Sequence, residues 1–593
     1  MQKSTNYGIL LKGDILKYSI QYWDKKYDNI LYFFQRLEEM LFHYSDDIVR
    51  TPIHNTRTLI EEYLKNEAKM QQGEVGAYQI EQILDELSHS VEQDKILHKN
   101  LSDKTTLMIA ESIKKEKKPA IIYLKSKIPK RTYYDWCIKY LNENIFEPNH
   151  KKGIEFAART WIVEVISYGY TPEYIYKHVQ AVMKNKTLNP KELFTNFIES
   201  FSFSQKEFRV YFVFSSAITP YKTLFQQRIG VTFEDDGNFY KIKKRKNDCI
   251  GYIDNKSLDR YKATYRANDY VDTFIRYYKV ISNRRNELVR PNVMVNQKNS
   301  KSFYFLERKS FGYRAYEPEP KFNLQELVDN IILNCQKKPK DTYLHLNKIV
   351  NLHNEAISQQ DLNDGFLNFW SILEVISSSI ERESKIEKVI YGITPILKKD
   401  FFTATLENID QDLHDNLNDK DYENLIMQTY SKETHEINYI GRFIFLPEFE
   451  KLREEYFEKL SQFPVIRAKI YRLWELRESK SQLLNFCNKY EQRIKWHLYR
   501  LYRTRNAIVH SGESHIRIQS LGEHLHIYVD RIITELLIKL SSEETLQTIS
   551  DVLIDTKYLM SLILKNFEEN SAVEDEDLKL LSQGFFYVSD EKI

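Results

Sequence analysis

Cysteine is scarce and scattered. Four residues of 593, Cys137, Cys249, Cys335 and Cys487, stand singly, without a Cys-x-x-Cys pair or neighbouring paired histidines. That pattern excludes a disulfide scaffold and carries no signature of a zinc site, so no metal and no cofactor is expected. Glycine (16) and proline (14) are too sparse to mark a flexible linker, and domain borders have to be read from changes in texture instead. No uninterrupted apolar run approaches the roughly 18 residues of a membrane span. The opening Met1-Gln-Lys-Ser-Thr-Asn-Tyr-Gly also lacks the charged segment and apolar core of a secretory signal. The expectation is a soluble cytoplasmic protein without a membrane partner. The formal charge of +2 favours no class of partner, and the distribution of charge says more than its sum.

What is present is enough apolar sequence (42%) to build several cores, in a length that accommodates about three or four domains. Residues 1–205 read as helices without a catalytic motif. From 206 the texture changes: Phe208-Arg-Val-Tyr-Phe-Val-Phe, Ile229-Gly-Val-Thr-Phe and Ser302-Phe-Tyr-Phe-Leu have the β-branched and aromatic density of strands. Residues 206–322 are therefore expected to form an α+β module. Within it, residues 241–321 carry 20 Lys/Arg against 9 Asp/Glu, with nine tyrosines. Basic side chains interleaved with aromatics suit a single-stranded nucleic acid, with cations along the phosphates and rings on the bases. The run Lys243-Lys244-Arg245-Lys246 is the densest part of that surface. The bland alternative is a tyrosine-rich β module from a lysine-rich proteome.

Pro318-Glu-Pro320 closes the module, and residues 323–545 return to helical periodicity, interrupted by an insertion at 406–463 whose Ile437 to Phe449 stretch is too apolar for a simple linker. From 546 to 593 the chain turns acidic, and Glu574-Asp-Glu-Asp577 reads as a solvated tail. The fold class expected is mainly α with an α+β middle module and a C-terminal helical bundle.

One stretch combines chemistry with structural logic: Arg500-Leu-Tyr-Arg503-Thr-Arg505-Asn506-Ala-Ile-Val-His510-Ser-Gly512. Ile494, Leu498, Leu501 and Ile508 form one stripe of an amphipathic helix. At 100° per residue Arg505 lies within about 20° of Ile494, so a guanidinium points where a core side chain belongs and requires a partner. Asn506 and His510, four apart, share another face, where the carboxamide could orient the imidazole. Gly512 reads as the helix stop.

Arg505-Asn506-x-x-x-His510 resembles the Arg-x(4 to 6)-His signature of HEPN domains. The upstream Phe366-Leu-Asn-Phe369-Trp370-Ser-Ile-Leu373-Glu374-Val-Ile376 resembles the first core helix of such bundles, and Ile518, Leu521, Leu525, Val529, Ile532, Leu536 and Leu540 mark a long downstream helix. The resemblance covers roughly 340–545. It implies a metal-independent endoribonuclease with Arg505, Asn506 and His510 as catalytic residues. Arg500 and Arg503 would join Lys243, Lys244, Arg245 and Lys246 in holding RNA, with Arg503 a reserve for Arg505. The residue types suit the reaction: an imidazole titrating near neutrality serves as base, and an always-charged guanidinium offsets phosphorane charge. Expected products are a 2′,3′-cyclic phosphate and a 5′-hydroxyl. One motif per chain implies a homodimer. The family further suggests abortive infection, anti-phage defence or a toxin role, with a tRNA or a phage or host mRNA as substrate and a phage-derived trigger or an antitoxin as partner. The alternative is a noncatalytic module that binds nucleic acid or protein, or a toxin paired with a nucleotidyltransferase antitoxin.

Overall fold

The computed structural model describes residues 28–42, 53–147, 150–185, 188–234, 247–282, 288–298, 300–307, 324–359, 361–430, 438–515, 517–568 and 571–582. It is mostly helical, with one small antiparallel sheet. The helices before the sheet are α1 (Asp28–Leu41), α2 (Thr56–Gln71), α3 (Ala77–Gln93), α4 (Lys95–Leu101), α5 (Asp103–Glu116), α6 (Lys118–Lys127), α7 (Lys130–Asn144), α8 (Lys151–Tyr168), α9 (Pro172–Met183) and α10 (Pro190–Glu199). The sheet region holds β1 (Lys206–Phe214), α11 (Lys222–Ile229), β2 (Thr232–Glu234), β3 (Cys249–Ser257), α12 (Arg260–Ser282), β4 (Val289–Gln297) and β5 (Phe303–Glu307). There follow α13 (Leu324–Cys335), α14 (Lys340–Ser358), α15 (Leu362–Ile376), α16 (Lys385–Asn416), α17 (Asp419–Thr429), α18 (Asn438–Phe445), α19 (Glu450–Lys459), α20 (Pro464–Trp474), α21 (Lys480–Ser511), α22 (Ile518–Ser542), α23 (Ile549–Asn566) and α24 (Asp575–Ser582).

The chain divides into two compact units, one of residues 1–160 and 311–593, the other of 161–310. The border falls inside α8, so the last helices of the segment expected to end at 205 group with the strands.

In the smaller unit the strand order is β2-β3-β1-β4-β5, and β1 pairs antiparallel with both β3 and β4. With α11 between β1 and β2 and α12 between β3 and β4, this is the split βαβ plan with one added edge strand. Alternation along β1 assigns its faces. Phe208, Val210, Phe212 and Phe214 share a core with Ala263, Ala267, Val271 and Ile275 of α12. Arg209 and Tyr211 point to the other face, where Tyr211 sits in register with Tyr252.

In the larger unit the expected helices form α15, α21 and α22. Phe366, Phe369, Trp370 and Leu373 of α15 meet Ile494, Leu498 and Leu501 of α21 and Leu521, Leu525, Val529 and Ile532 of α22 in one buried cluster. Each such side chain contributes about 1.5–3 kcal/mol by leaving water. Local chemistry sets the ends of the helices: Asp361 and Ser479 cap α15 and α21 through their side chains, and a Ser384/Glu387 capping box starts α16.

The 406–463 segment helps to build a second core: α16 runs into it, and Leu406, Leu413, Phe443 and Tyr456 pack with Leu578 and Leu581 of α24. One expectation changes in part: of the acidic stretch at 574–577, Glu574 and Glu576 are exposed, but Asp577 is buried and pairs with Lys480 at 2.9 Å, while Asp575 accepts from Arg442. Asp575 and Asp577 have cationic partners more than 90 residues away in sequence, a pairing that composition does not reveal.

Candidate functional site

Helix α21 carries all three candidate catalytic residues on its final turns. Gly512 ends it at φ +64°, the left-handed conformation that favours glycine, and its N–H donates to the Ile508 carbonyl at 3.1 Å. His510 lies one residue inside the stop and is exposed. Among the described residues its imidazole makes no hydrogen bond or ion pair.

Arg505 is partly buried, and the partner its position demands is Glu374 of α15, 3.7 Å away. Glu374 is itself held by the Trp370 indole N–H at 2.9 Å, and the Trp370 ring lies 5.7 Å from that of Tyr502 on α21. The aromatic and acidic residues of α15 thus orient the guanidinium. The Asn506 carboxamide oxygen accepts from Arg505 at 3.3 Å, so Asn506 braces the arginine rather than the imidazole expected from its spacing. Arg505 and His510 are five residues apart, about 140° around the helix. They present a fixed cation and an unconstrained base from well-separated sectors of one helix end.

Arg500 and Arg503 behave differently. Both are buried at 7% exposure or less. Arg500 donates to Glu62 of α2 (3.1–3.3 Å) and to Glu86 of α3, and Arg503 donates to Glu62 at 2.7 Å. Their assignment to RNA contact is corrected: they face the N-terminal helices, with their charge already neutralised. Burial alone would raise the Glu62 carboxyl, but Arg500, His54 and Arg503 hold it well below the usual range. Glu86 is raised by its burial against the pull of Arg500. The same helices hold α21 elsewhere. Asp85 accepts from Trp496 (2.9 Å) and Gln492 (3.0 Å), and Glu513, just past the helix, bonds Lys65 and Lys69, which bring its carboxyl down to about 2.

Three histidines line this contact, and in each burial is the largest influence on titration. It pushes His54 and His497 well below the ordinary imidazole value and His515 down to about 4. The His515 Nδ1 accepts the Arg517 backbone N–H at 3.1 Å, which requires that nitrogen unprotonated. None of these partners was visible in the sequence. The only signal was the demand of arginines on a helix stripe for carboxylates, with nothing to say which ones.

In the smaller unit Lys243, Lys244, Arg245 and Lys246 lie outside the described residues. Of the described basic side chains, Arg209 stacks 3.9 Å above the Tyr252 ring while bonding Asp254. Arg290 pairs with Asp248, and Arg260 lies 3.9 Å over Tyr304. These cations are therefore engaged by carboxylates and rings of the unit itself.

The expectation of no metal-ligating cluster also changes. His353, His526 and Asp530 each place a ligand atom within 4.8 Å of the others, brought together from positions up to 177 residues apart. No helix among the described residues is long and apolar enough to cross a membrane. Comparison with family models, curated proteins and solved structures finds no match to the chain.

Proposed function

We propose that this chain is a metal-independent endoribonuclease of HEPN type, acting as a homodimer in bacterial anti-phage defence by abortive infection or as a toxin. One observation carries the reading: the last two turns of α21 carry an exposed His510 imidazole, without a hydrogen bond among the described residues, and an Arg505 guanidinium oriented from α15. An imidazole takes the proton of the RNA 2′-hydroxyl, O2′ bonds to phosphorus, and the P–O5′ bond breaks. An imidazole of the second copy protonates the leaving 5′-oxygen, and Arg505 balances the charge of the phosphorane. The products are a 2′,3′-cyclic phosphate and a 5′-hydroxyl, and no cation is needed at the reacting atoms.

The test is His510→Ala in the full chain. RNA cleavage falls by about 10²–10⁴-fold while the unfolding free energy stays within about 0.5 kcal/mol, since the side chain is exposed. Mixing wild-type and variant chains with subunit exchange leaves about one quarter of the activity at equal ratio if the site is shared. Cleavage by the folded variant at the wild-type rate sinks the assignment. One observation favours a noncatalytic reading, namely that Arg505 already has a carboxylate in Glu374. In that case the wild-type chain cleaves no RNA, and His510→Ala leaves any RNA affinity unchanged.

A further inference from the structure

Apart from the motif helix end, the larger unit contains a second convergence of reactive side chains. His526 and Asp530 sit four residues apart on α22, one turn above the other on the same face. His353 of α14 reaches the same carboxylate. Its Nε2 lies 2.7 Å from Asp530 Oδ1, while His526 Nε2 lies 3.3 Å from Oδ2, so each imidazole addresses a different oxygen. Phe369 of α15 holds both rings in place. It stacks on His526 at 4.4 Å and 25°, and meets His353 edge-on at 5.8 Å. The His526 side chain is only 4% exposed, and among the described residues its buried Nδ1 has no hydrogen-bond partner. His353 and Asp530 are 23% and 34% exposed, which leaves a route from solvent.

We propose that His353, His526 and Asp530 form a binding site for a zinc-class divalent cation that fastens α14 to α22. Two imidazoles and one carboxylate are a donor set for zinc, cobalt or nickel rather than for magnesium or calcium, which take oxygen ligands. Tetrahedral bonds of about 2.0 Å separate neighbouring donors by about 3.3 Å. The His526 pair already has that spacing, and the His353 pair opens by about half an ångström as a cation replaces the hydrogen bond. The cation bonds the two Nε2 lone pairs and the Asp530 carboxylate, which turns so that one oxygen serves both ligand pairs. The Nε2 protons move to solvent, the imidazoles carry theirs at Nδ1, and water fills the fourth position. Because the three ligands come from two helices separated in sequence, binding stabilises their packing and selects the folded chain.

The test uses the full chain stripped with a chelator and desalted, with Co²⁺ as spectroscopic probe and Zn²⁺ as competitor. The expected result is visible d–d absorption saturating at one Co²⁺ per chain, lost on addition of Zn²⁺, together with a melting midpoint several degrees higher in Zn²⁺ than in its absence. Affinity falls at least about 10-fold in His353→Gln and in Asp530→Asn, both at partly exposed positions where the apo fold persists by circular dichroism. His510→Ala binds as wild type does, which separates this site from the nuclease reading. Absence of saturable binding, or the same affinity in both ligand variants, overturns the proposal. RNA cleavage is no part of the readout.

Discussion

The two ends of the Arg500–His510 stretch make an instructive pair. Arg500 and Arg503 are buried against Glu62 and Glu86, whereas Arg505, two residues further on, is partly open and His510 is exposed. The residue types are similar and all lie within eleven positions of one helix. Their roles differ because Arg500 and Arg503 face α2 and α3, whereas Arg505 faces α15 and His510 is open to solvent. An arginine facing those helices becomes part of the structure, and one facing away from them is left partly open.

Breaking the covered end has the largest expected effect. Glu62→Gln leaves two guanidiniums buried with half of their compensation gone, and denaturant unfolding should show a loss of about 3–5 kcal/mol. A loss under about 1 kcal/mol would mean that water or Glu86 satisfies the pair and that the N-terminal helices are a weaker brace than the geometry implies.

Acidification comes next. The folded state favours neutral His515, so its stabilisation is complete above the free imidazole value of 6.5 and is lost as pH falls towards about 4. Glu62, Arg517, Arg500 and Lys65 surround it, and burial outweighs them all. His54 and His497 act with the same sign. Asp400 acts oppositely across that interval: it is buried, has no hydrogen bond to either oxygen among the described residues, and is pushed up to about 8 by burial. The discriminating quantity is therefore the difference between chains. Between pH 7 and pH 5, His515→Gln should lose about 1–2 kcal/mol less unfolding free energy than wild type. Parallel pH profiles for the two would remove His515 from the account.

The smallest effect belongs to the open end. Asn506→Ala removes a 3.3 Å contact on Arg505 but leaves Glu374 in place, so RNA cleavage should fall by less than about 10-fold and stability by less than about 0.5 kcal/mol. A loss matching that of His510→Ala would show that Asn506 acts on the RNA itself rather than through the arginine.

Much of the local structure was legible in the residue order. The 3.6-residue periodicity marked the helices that became α15, α21 and α22, Gly512 marked the end of α21, and the β-branched and aromatic runs marked β1, β2 and β5. Arg505 was recognisable as a guanidinium in need of a partner. Periodicity and capping depend on neighbours within about four positions, so the sequence alone decides them. The partners were decided only by tertiary structure. Glu62 meets Arg500 across 438 positions, His353 meets Asp530 across 177, and the acidic stretch near 575 becomes a packed helix because Arg442 and Lys480 are waiting for it. A buried charge requires an opposite charge but does not specify which one. Packing of distant helices supplies that choice, and with it the division of α21 into an anchored flank and an open face.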